Sequence, residues 1–362
     1  MISYAVMNSK GEMNVEQREV PAIEERAVLL KTLYSEVCGT DVHLMHQQLS
    51  GVPYPIIPGH VSTGKIEAIN DSVYDVDGIL LKVGDIVTFL DVHETCNSCW
   101  YCLVAKETTR CPKRKVYGIT YSSNEGLLGG WSQMIYLKPG VKIIKLNSEQ
   151  DARLFMAGGC GLPTAIHAIQ RAEIKLGQTV VIQGSGPVGL MAALLAKHSG
   201  AFKVILVGGP ENRLNIAKNF GITETVNIED NDEKGRLDLI LKKTNGRGAD
   251  VVIEATGIAS AVKEGMRMAR DGGTYVIVGQ YTNSGDIPIN PHLDINRKHL
   301  IIKGSWGSDF SHFYLAVKFM EFAKDKYDWN QIISREYTLE ETQQALRDVE
   351  GYSVMKALIK PN

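Results

Sequence analysis

Four of the six cysteines fall within sixteen residues, as Cys96, Cys99, Cys102 and Cys111, separated by two, two and eight residues. Thiols at that density offer a zinc ion a closed tetrahedral set of sulfur ligands, which leaves no coordination position for a substrate. The ion then substitutes for a hydrophobic core, and the excursion that carries the cysteines folds around it. The competing use, two disulfides in one loop, belongs to short secreted chains with evenly spread cysteines.

The other two cysteines, Cys38 and Cys160, stand alone. Cys38-Gly39-Thr40-Asp41-Val42-His43 places a thiol, a hydroxyl, a carboxylate and an imidazole within six residues, and Pro58-Gly59-His60 adds a second imidazole. Two thiolates and one imidazole leave the fourth tetrahedral position open, which is what a catalytic zinc requires. Taken singly, each is as readily core filler or a hydrogen-bonded side chain. As a set, they give all six cysteines a use.

A third constellation is Gly184-Ser185-Gly186-Pro187-Val188-Gly189. A lone Gly-x-Gly-x-x-Gly is a weak signal, but this one leaves the apolar run Thr179-Val180-Val181-Ile182 and opens the helix-spaced run Leu190 to Lys197. In that setting the first glycine permits a tight turn and the second lets backbone approach a pyrophosphate. The third lets helix and strand pack closely, with free amides facing the anion. An acid at the end of the next strand would hold the ribose of NAD. Here Val207-Gly208-Gly209-Pro210 stands instead, with Glu211 next and Arg213 three residues beyond Pro210. NAD and NADP both stay open.

These residues need elements to position them. Short apolar runs such as Ala27–Leu33, Gly64–Ile69 and Asp85–Leu90, cut by Pro53, Pro55, Pro58-Gly59 and Gly84, predict a β-rich, barrel-like first 150 residues. Beyond about residue 160, strands predicted at Thr179–Ile182, Lys203–Val207, Asp250–Ala255 and Thr274–Val278 alternate with helices, including Glu211–Phe220. That alternation predicts a parallel, doubly wound α/β sheet. The tail ends in an apolar strand, Met355–Ile359, that can return to the first domain.

Length and charge bound the rest. A chain of 362 residues fits two domains, and 44% hydrophobic with 22% charged residues is ordinary for a globular protein. A net charge of -2 gives no basic surplus for nucleic acid or a membrane surface. No apolar run approaches the roughly 20 residues that span a bilayer. The opening Met1-Ile2-Ser3-Tyr4-Ala5 lacks a secretory pattern, so a cytoplasmic enzyme is expected.

With these motifs in order, the chain resembles, essentially end to end, the zinc-dependent medium-chain alcohol and polyol dehydrogenases. The match runs through Cys38-Gly39-Thr40-Asp41-x-His43, Pro58-Gly59-His60, the four-cysteine lobe, Cys160-Gly161-Leu162-Pro163-Thr164 and Gly184-x-Gly186-x-x-Gly189. The resemblance implies a GroES-like β-barrel catalytic domain from residues 1–161 and 307–362, with a Rossmann NAD(P)-binding domain, 162–306, inserted and substrate bound in the cleft. It implies two zinc ions per subunit: a catalytic one on Cys38, His60 and Cys160, and a structural one on Cys96, Cys99, Cys102 and Cys111. By the same resemblance Asp41 orients the zinc-bound imidazole, while Thr40 and His43 relay the alcohol proton. Gly184, Gly186, Pro187, Val188, Gly189, Gly208, Gly209 and Arg213 surround the dinucleotide, and Lys356 contacts its pyrophosphate. The implied reaction moves a hydride between a secondary, cyclic or polyol, alcohol and NAD(P), giving the ketone. Val92 and Trp306–Phe310 are placed near the substrate, with core packing an equal reading for Trp306. The segment His299–Gly304 aligns with a subunit boundary, so a homodimer or homotetramer is expected, without nucleic-acid or membrane partners.

Three departures stand out. Relatives often carry glutamate directly after the zinc-binding histidine, where Val61 stands here; polyol members commonly place glutamate at Cys160; and the gap from Cys102 to Cys111 is one residue longer than usual. Rival readings are a zinc-free quinone reductase of the same superfamily, a nucleotide-binding redox sensor, and a lyase or synthase with a tightly held cofactor.

Overall fold

A computed structural model describes residues 1–222 and 224–362 and divides the chain into two compact units. Met1–Cys160, Asp309–Lys324 and Trp329–Asn362 form the first, and Gly161–Ser308 with Asp325–Asp328 the second.

The first unit begins with an antiparallel pair, β1 (Ile2–Met7) and β2 (Met13–Arg18). Then come β3 (Val28–Val37), α1 (Gly39–Met45), β4 (Ser62–Ile69) and β5 (Ile86–Phe89). β6 (Val92–Glu94) and β7 (Lys115–Val116) pair with each other, and β8 (Met134–Leu137), β9 (Ile143–Leu146) and α2 (Glu149–Gly158) follow. The short strands carry β-branched residues such as Ile2, Val28, Ile66, Ile86 and Ile143, and turn residues such as Gly59, Gly84 and Pro139 lie between them, the pattern that favours antiparallel sheet over long helices.

The second unit starts with α3 (Gly161–Ala172), β10 (Thr179–Gln183), α4 (Pro187–His198), β11 (Lys203–Gly208) and α5 (Glu211–Asn219). It continues through β12 (Glu224–Asn227), α6 (Glu233–Lys243), β13 (Ala249–Glu254), α7 (Ala259–Met268), β14 (Ala269–Ile277) and β15 (Ile301–Gly304). All neighbours in its sheet are parallel, in the order β12-β11-β10-β13-β14-β15. Direction reverses beside β10, the switch point where such sheets bind dinucleotides. Val180, Val181, Ile182, Ile205, Leu206, Val252 and Ile253 are fully buried, as expected of strands covered on both faces. α4 is buried on nearly every side, so its apolar run is not confined to one stripe.

The chain then returns to the first unit through α8 (Phe310–Ala323), β16 (Ile333–Tyr337), α9 (Thr342–Glu350) and β17 (Lys356–Ile359). β17 lies between β16 and β3 in a sheet ordered β16-β17-β3-β4-β5-β9, with β8 also on β3. Two details differ from expectation. β14 begins at Ala269, before the predicted Thr274, because it already pairs with Ala249 ahead of a register shift. Residues 325–328 belong to the second unit, where Tyr327 stacks on Phe220 at 5.3 Å and its hydroxyl lies 2.9 Å from His198 Nε2. No helix among the described residues is long and apolar enough to cross a membrane.

Candidate active site

The local fold of Cys38-Gly39-Thr40-Asp41 is a capping box. Cys38 precedes α1 in extended conformation, its sulfur accepts from Thr40 N at 3.3 Å, and Asp41 Oδ2 accepts from Cys38 N at 2.9 Å. Both exchanges satisfy amides that would otherwise be orphaned at the helix start. His60 arrives on the loop before β4, and Cys160 on the turn after α2. Cys38 Sγ stands 4.0 Å from His60 Nε2, and the ligand atoms of Cys38, His60 and Cys160 all lie within 4.8 Å of one another. Cys38 and His60 are buried and Cys160 is partly so.

The protonation chemistry of this trio is that of clustered metal-ligand side chains sharing protons. Hydrogen bonding with Cys160 holds the Cys38 thiol well below its usual range against the effect of burial, helped by the charge of His60. The same bond, with burial, pushes Cys160 well above its usual range. Burial disfavours protonation of His60, but the negative charge of Cys38 outweighs it and raises His60 to about 10. Two sulfurs and one nitrogen thus share protons that a zinc ion displaces on binding. The donor set suits zinc, and no fourth protein ligand joins the group among the described residues.

The expected hydrogen bond from Asp41 to the His60 ring is not formed. Asp41 is committed to the Cys38 amide as the third residue of the capping box, so its Oδ1 and His60 Nδ1 are both buried without hydrogen-bond partners. Their coupling is electrostatic: burial drives the Asp41 carboxyl well above its usual range, while His60 opposes the rise. Thr40 and His43 lie three apart on α1 and so share a face. Both are half-buried, and His43 Nδ1 donates to Gln48 Oε1 at 2.5 Å.

The four remaining cysteines close a second set. Their sulfurs lie within 4.8 Å of one another, with Cys99–Cys102 at 3.5 Å and Cys96–Cys111 at 3.6 Å. Those separations are far beyond the roughly 2.05 Å of a disulfide. They match the roughly 3.8 Å edge of a tetrahedron of thiolates ~2.3 Å from zinc. β6 and β7 close the base of this lobe. Its apolar side chains face outward, Trp100 at 62%, Leu103 at 52% and Val104 at 63% exposed, so the sulfurs stand where a core would be.

In the second unit, β10 ends at Gly184, whose φ of +108° is a conformation side chains rarely adopt. Gly186 caps α4, and Pro187 opens it without an amide to satisfy. A Cβ on Gly189 would lie 1.9 Å from Gly184 O, whereas one on Gly186 would meet nothing nearer than Arg213 Nη1 at 3.9 Å. The third glycine is therefore demanded by packing, and the second borders open space that suits a pyrophosphate. Val188 follows in the first turn of the helix. Gly208 and Gly209 pack on Ser185, whose Oγ donates to Gly209 O at 2.8 Å. Arg213 is buried on α5. Glu211 is held by Lys218 and Asn227 and does not turn toward this loop.

Lys356 corrects an expectation. It is 1% exposed and paired with Glu36, itself 1% exposed, so it does not serve a pyrophosphate. A buried ammonium requires a counter-charge, and Glu36 supplies it. Glu36 is also the site residue that sequence reasoning missed. The available signal was a carboxylate in the apolar strand Val28–Val37, two residues before Cys38. Val61 is buried, so no carboxylate follows His60. Val92 is buried as well. Trp306 stacks on Tyr281 at 5.5 Å and donates to Tyr281 O, which satisfies the packing role. Asp309 caps α8 by accepting from Ser311 N and His312 N.

With fold and site described, comparison with known proteins is direct. Residues 24–148 match the alcohol dehydrogenase GroES-like domain and residues 187–321 the zinc-binding dehydrogenase domain. A 5-exo-hydroxycamphor dehydrogenase of Pseudomonas putida is 31% identical, the match covering 99% of each chain. A D-arabinitol dehydrogenase of Uromyces fabae is 31% identical over 97% of this chain and 95% of its own. An alcohol dehydrogenase structure from Thermotoga maritima superimposes with a TM-score of 0.94 at 32% identity, over 100% of this chain and 99% of that one. The chain belongs to the zinc-dependent medium-chain alcohol and polyol dehydrogenases. It is a zinc-containing, NAD(P)-dependent oxidoreductase acting on alcohols, and the matches give no support to a zinc-free reductase or a redox sensor.

Proposed function

We propose that the enzyme interconverts a secondary alcohol, ring-borne or polyol, with its ketone. In this reading Cys38, His60 and Cys160 hold the catalytic zinc and Cys96, Cys99, Cys102 and Cys111 a structural one. The observation that carries it is the gathering of three donor atoms from three separate segments within 4.8 Å, with no fourth ligand among the described residues. Held by these residues, zinc would supply Lewis-acid polarisation of the substrate hydroxyl, and NAD or NADP would supply the hydride acceptor. Thr40 Oγ1 would accept the hydroxyl proton while giving its own onward, and His43 would take that proton up and release it to solvent. Gln48 fixes the tautomer of His43 by accepting from Nδ1, which leaves the lone pair on Nε2. Gly184, Gly186, Gly189 and the α4 amides hold the pyrophosphate, with Arg213 beside Gly186.

In this reading the first unit is the zinc-bearing domain and the second the dinucleotide-binding domain, with boundaries after Cys160 and before Asp309 in place of the expected 161 and 307. The names of the relatives, with 5-exo-hydroxycamphor and D-arabinitol in them, support ring and polyol alcohols as the substrate classes. β15 ends its sheet with Ile301 50% and Ile302 37% exposed, an edge that suits pairing in a homodimer or homotetramer. We place the enzyme in the cytoplasm.

The test is to follow dinucleotide reduction with a panel of secondary, cyclic and polyol alcohols, using NAD and NADP separately, with and without chelator. Chelator-sensitive reduction by ring or polyol alcohols is expected. Catalysis that persists in zinc-free protein overturns the reading, and absence of net reduction with any alcohol points to a lyase or synthase.

A further inference from the structure

Glu36 is tied to all three segments that carry the candidate catalytic ligands. It lies two residues before Cys38 on β3. Its backbone amide donates to the carbonyl of Val61, the residue after His60, at 3.0 Å. Its carboxylate Oε2 accepts from Cys160 N at 2.6 Å, and Oε1 lies 3.4 Å from Cys160 Sγ. Its own carbonyl accepts from the indole of the fully buried Trp131 at 3.0 Å.

Lys356 completes the arrangement from β17, where Leu358 is the register partner of Glu36. The turn that delivers Cys160 is shaped to this pair. Gly159 has a φ of +47°, and a Cβ there would lie 2.1 Å from Glu36 Oε2 and 2.7 Å from Lys356 Nζ. Two apolar side chains would pack this space without the desolvation cost of two buried charges, so stability alone does not explain the pair. Groups that hydrogen-bond the residues around a metal orient its ligands and set its affinity.

We propose that Glu36, neutralised by Lys356, is a positioning residue that fixes the backbone and sulfur of Cys160 in the metal set and thereby controls how long zinc is retained. This rests on the reading that Cys38, His60 and Cys160 bind zinc. The mechanism above gives Glu36 no part in the reaction; its action is on the ligand geometry.

The experiment measures zinc per chain, transfer of zinc to a chromophoric chelator, and the sulfur-to-metal absorption bands of the cobalt-substituted protein. It uses the wild type, Cys38→Ser, Glu36→Gln, and the double variant Glu36→Leu/Lys356→Met. Wild type is expected to release zinc in two phases, one from the lobe and one from the Cys38 site. In Glu36→Gln the second phase quickens roughly 10- to 100-fold, the range seen when partners of metal ligands are lost. The lobe phase stays fixed and the cobalt bands move. The double variant removes both charges, so it tests the matter even if Glu36→Gln folds poorly: its melting recovers while rapid release persists. Wild-type release and unmoved cobalt bands in Glu36→Gln overturn the proposal. So does a double variant that recovers stability and slow release together, since the pair is then structural only. If Cys38→Ser keeps both release phases and the full cobalt spectrum, the parent assignment of the zinc site fails instead.

Discussion

Gly186 and Gly189, the cap of α4 and a residue of its first turn, should respond to the same substitution in different ways. A methyl on Gly189 would lie 1.9 Å from Gly184 O, about 1.5 Å inside ordinary contact, and that oxygen belongs to the backbone. α4 must therefore shift against β10, at a cost of about 1–3 kcal/mol for such overpacking. For a unit of this size that is a fall in melting temperature of roughly 2–12 °C. Gly186 has φ -73° and ψ -179°, which alanine adopts freely, and its methyl meets nothing nearer than Arg213 at 3.9 Å. Gly186→Ala should thus melt as the wild type does. Its methyl instead occupies the space proposed for the pyrophosphate and separates the anion from one charge-assisted amide contact, worth about 1.5–3 kcal/mol. That predicts a roughly tenfold to hundredfold weaker Kd for NAD or NADP. Calorimetric melting and fluorescence titration with each reduced dinucleotide separate the two effects. Undiminished affinity in Gly186→Ala, with an unchanged fold, would show that the anion does not lie over the start of α4.

Other expectations concern the first unit. Thr40→Val should depress turnover at least tenfold while zinc content stays at the wild-type value; unchanged turnover removes Thr40 from the proton path. Cys111→Ser should cost one zinc per chain and expose residues 96–111 to protease, because Trp100, Leu103 and Val104 face solvent and give the lobe no apolar interior. Retention of two zinc ions and protease resistance would contradict the metal-for-core argument. Asp309→Ala removes the cap of α8 at about 1 kcal/mol. Burial alone would raise the Asp309 carboxyl, but hydrogen bonds from His312 and Ser311 hold it below the usual carboxylate range. Its contribution is therefore complete above the ordinary aspartate value of about 4 and lost only as pH falls below it. The melting difference from wild type should shrink as pH falls from about 4 toward about 2, and a difference that stays constant over that interval would refute the assignment.

The metal sets were legible because sulfur and imidazole have few uses at such spacing, and the parallel sheet because β-branched runs alternated with helical ones. What sequence could not reveal was side-chain partnership. Asp41 resembles a partner of His60, but its place at the third residue of α1 draws it to the Cys38 amide. Lys356, a lysine in an apolar strand, read as a cofactor contact; only the register of β17 against β3 reveals the carboxylate that claims it. Glu36 escaped notice for the same reason, since a single charge in a β-run gives no hint of a partner 320 residues away. Residues 325–328 could not be assigned from pattern either, because side-chain contacts such as the stacking of Tyr327 on Phe220, not periodicity, join them to the second unit.

The position of β17 also imposes an order on synthesis. β3 emerges from the ribosome before any of residues 161–308, yet its neighbour on one side, β17, emerges only after them. Residues 161–308 are by then complete and can settle as an independent body, while the earlier-made sheet waits with an open flank. Of the two units, the one whose strands begin to emerge first is therefore the one that closes last. During that interval an unpaired β3 edge, bearing an uncompensated Glu36, is the point at which nascent chains are most exposed to wrong partners.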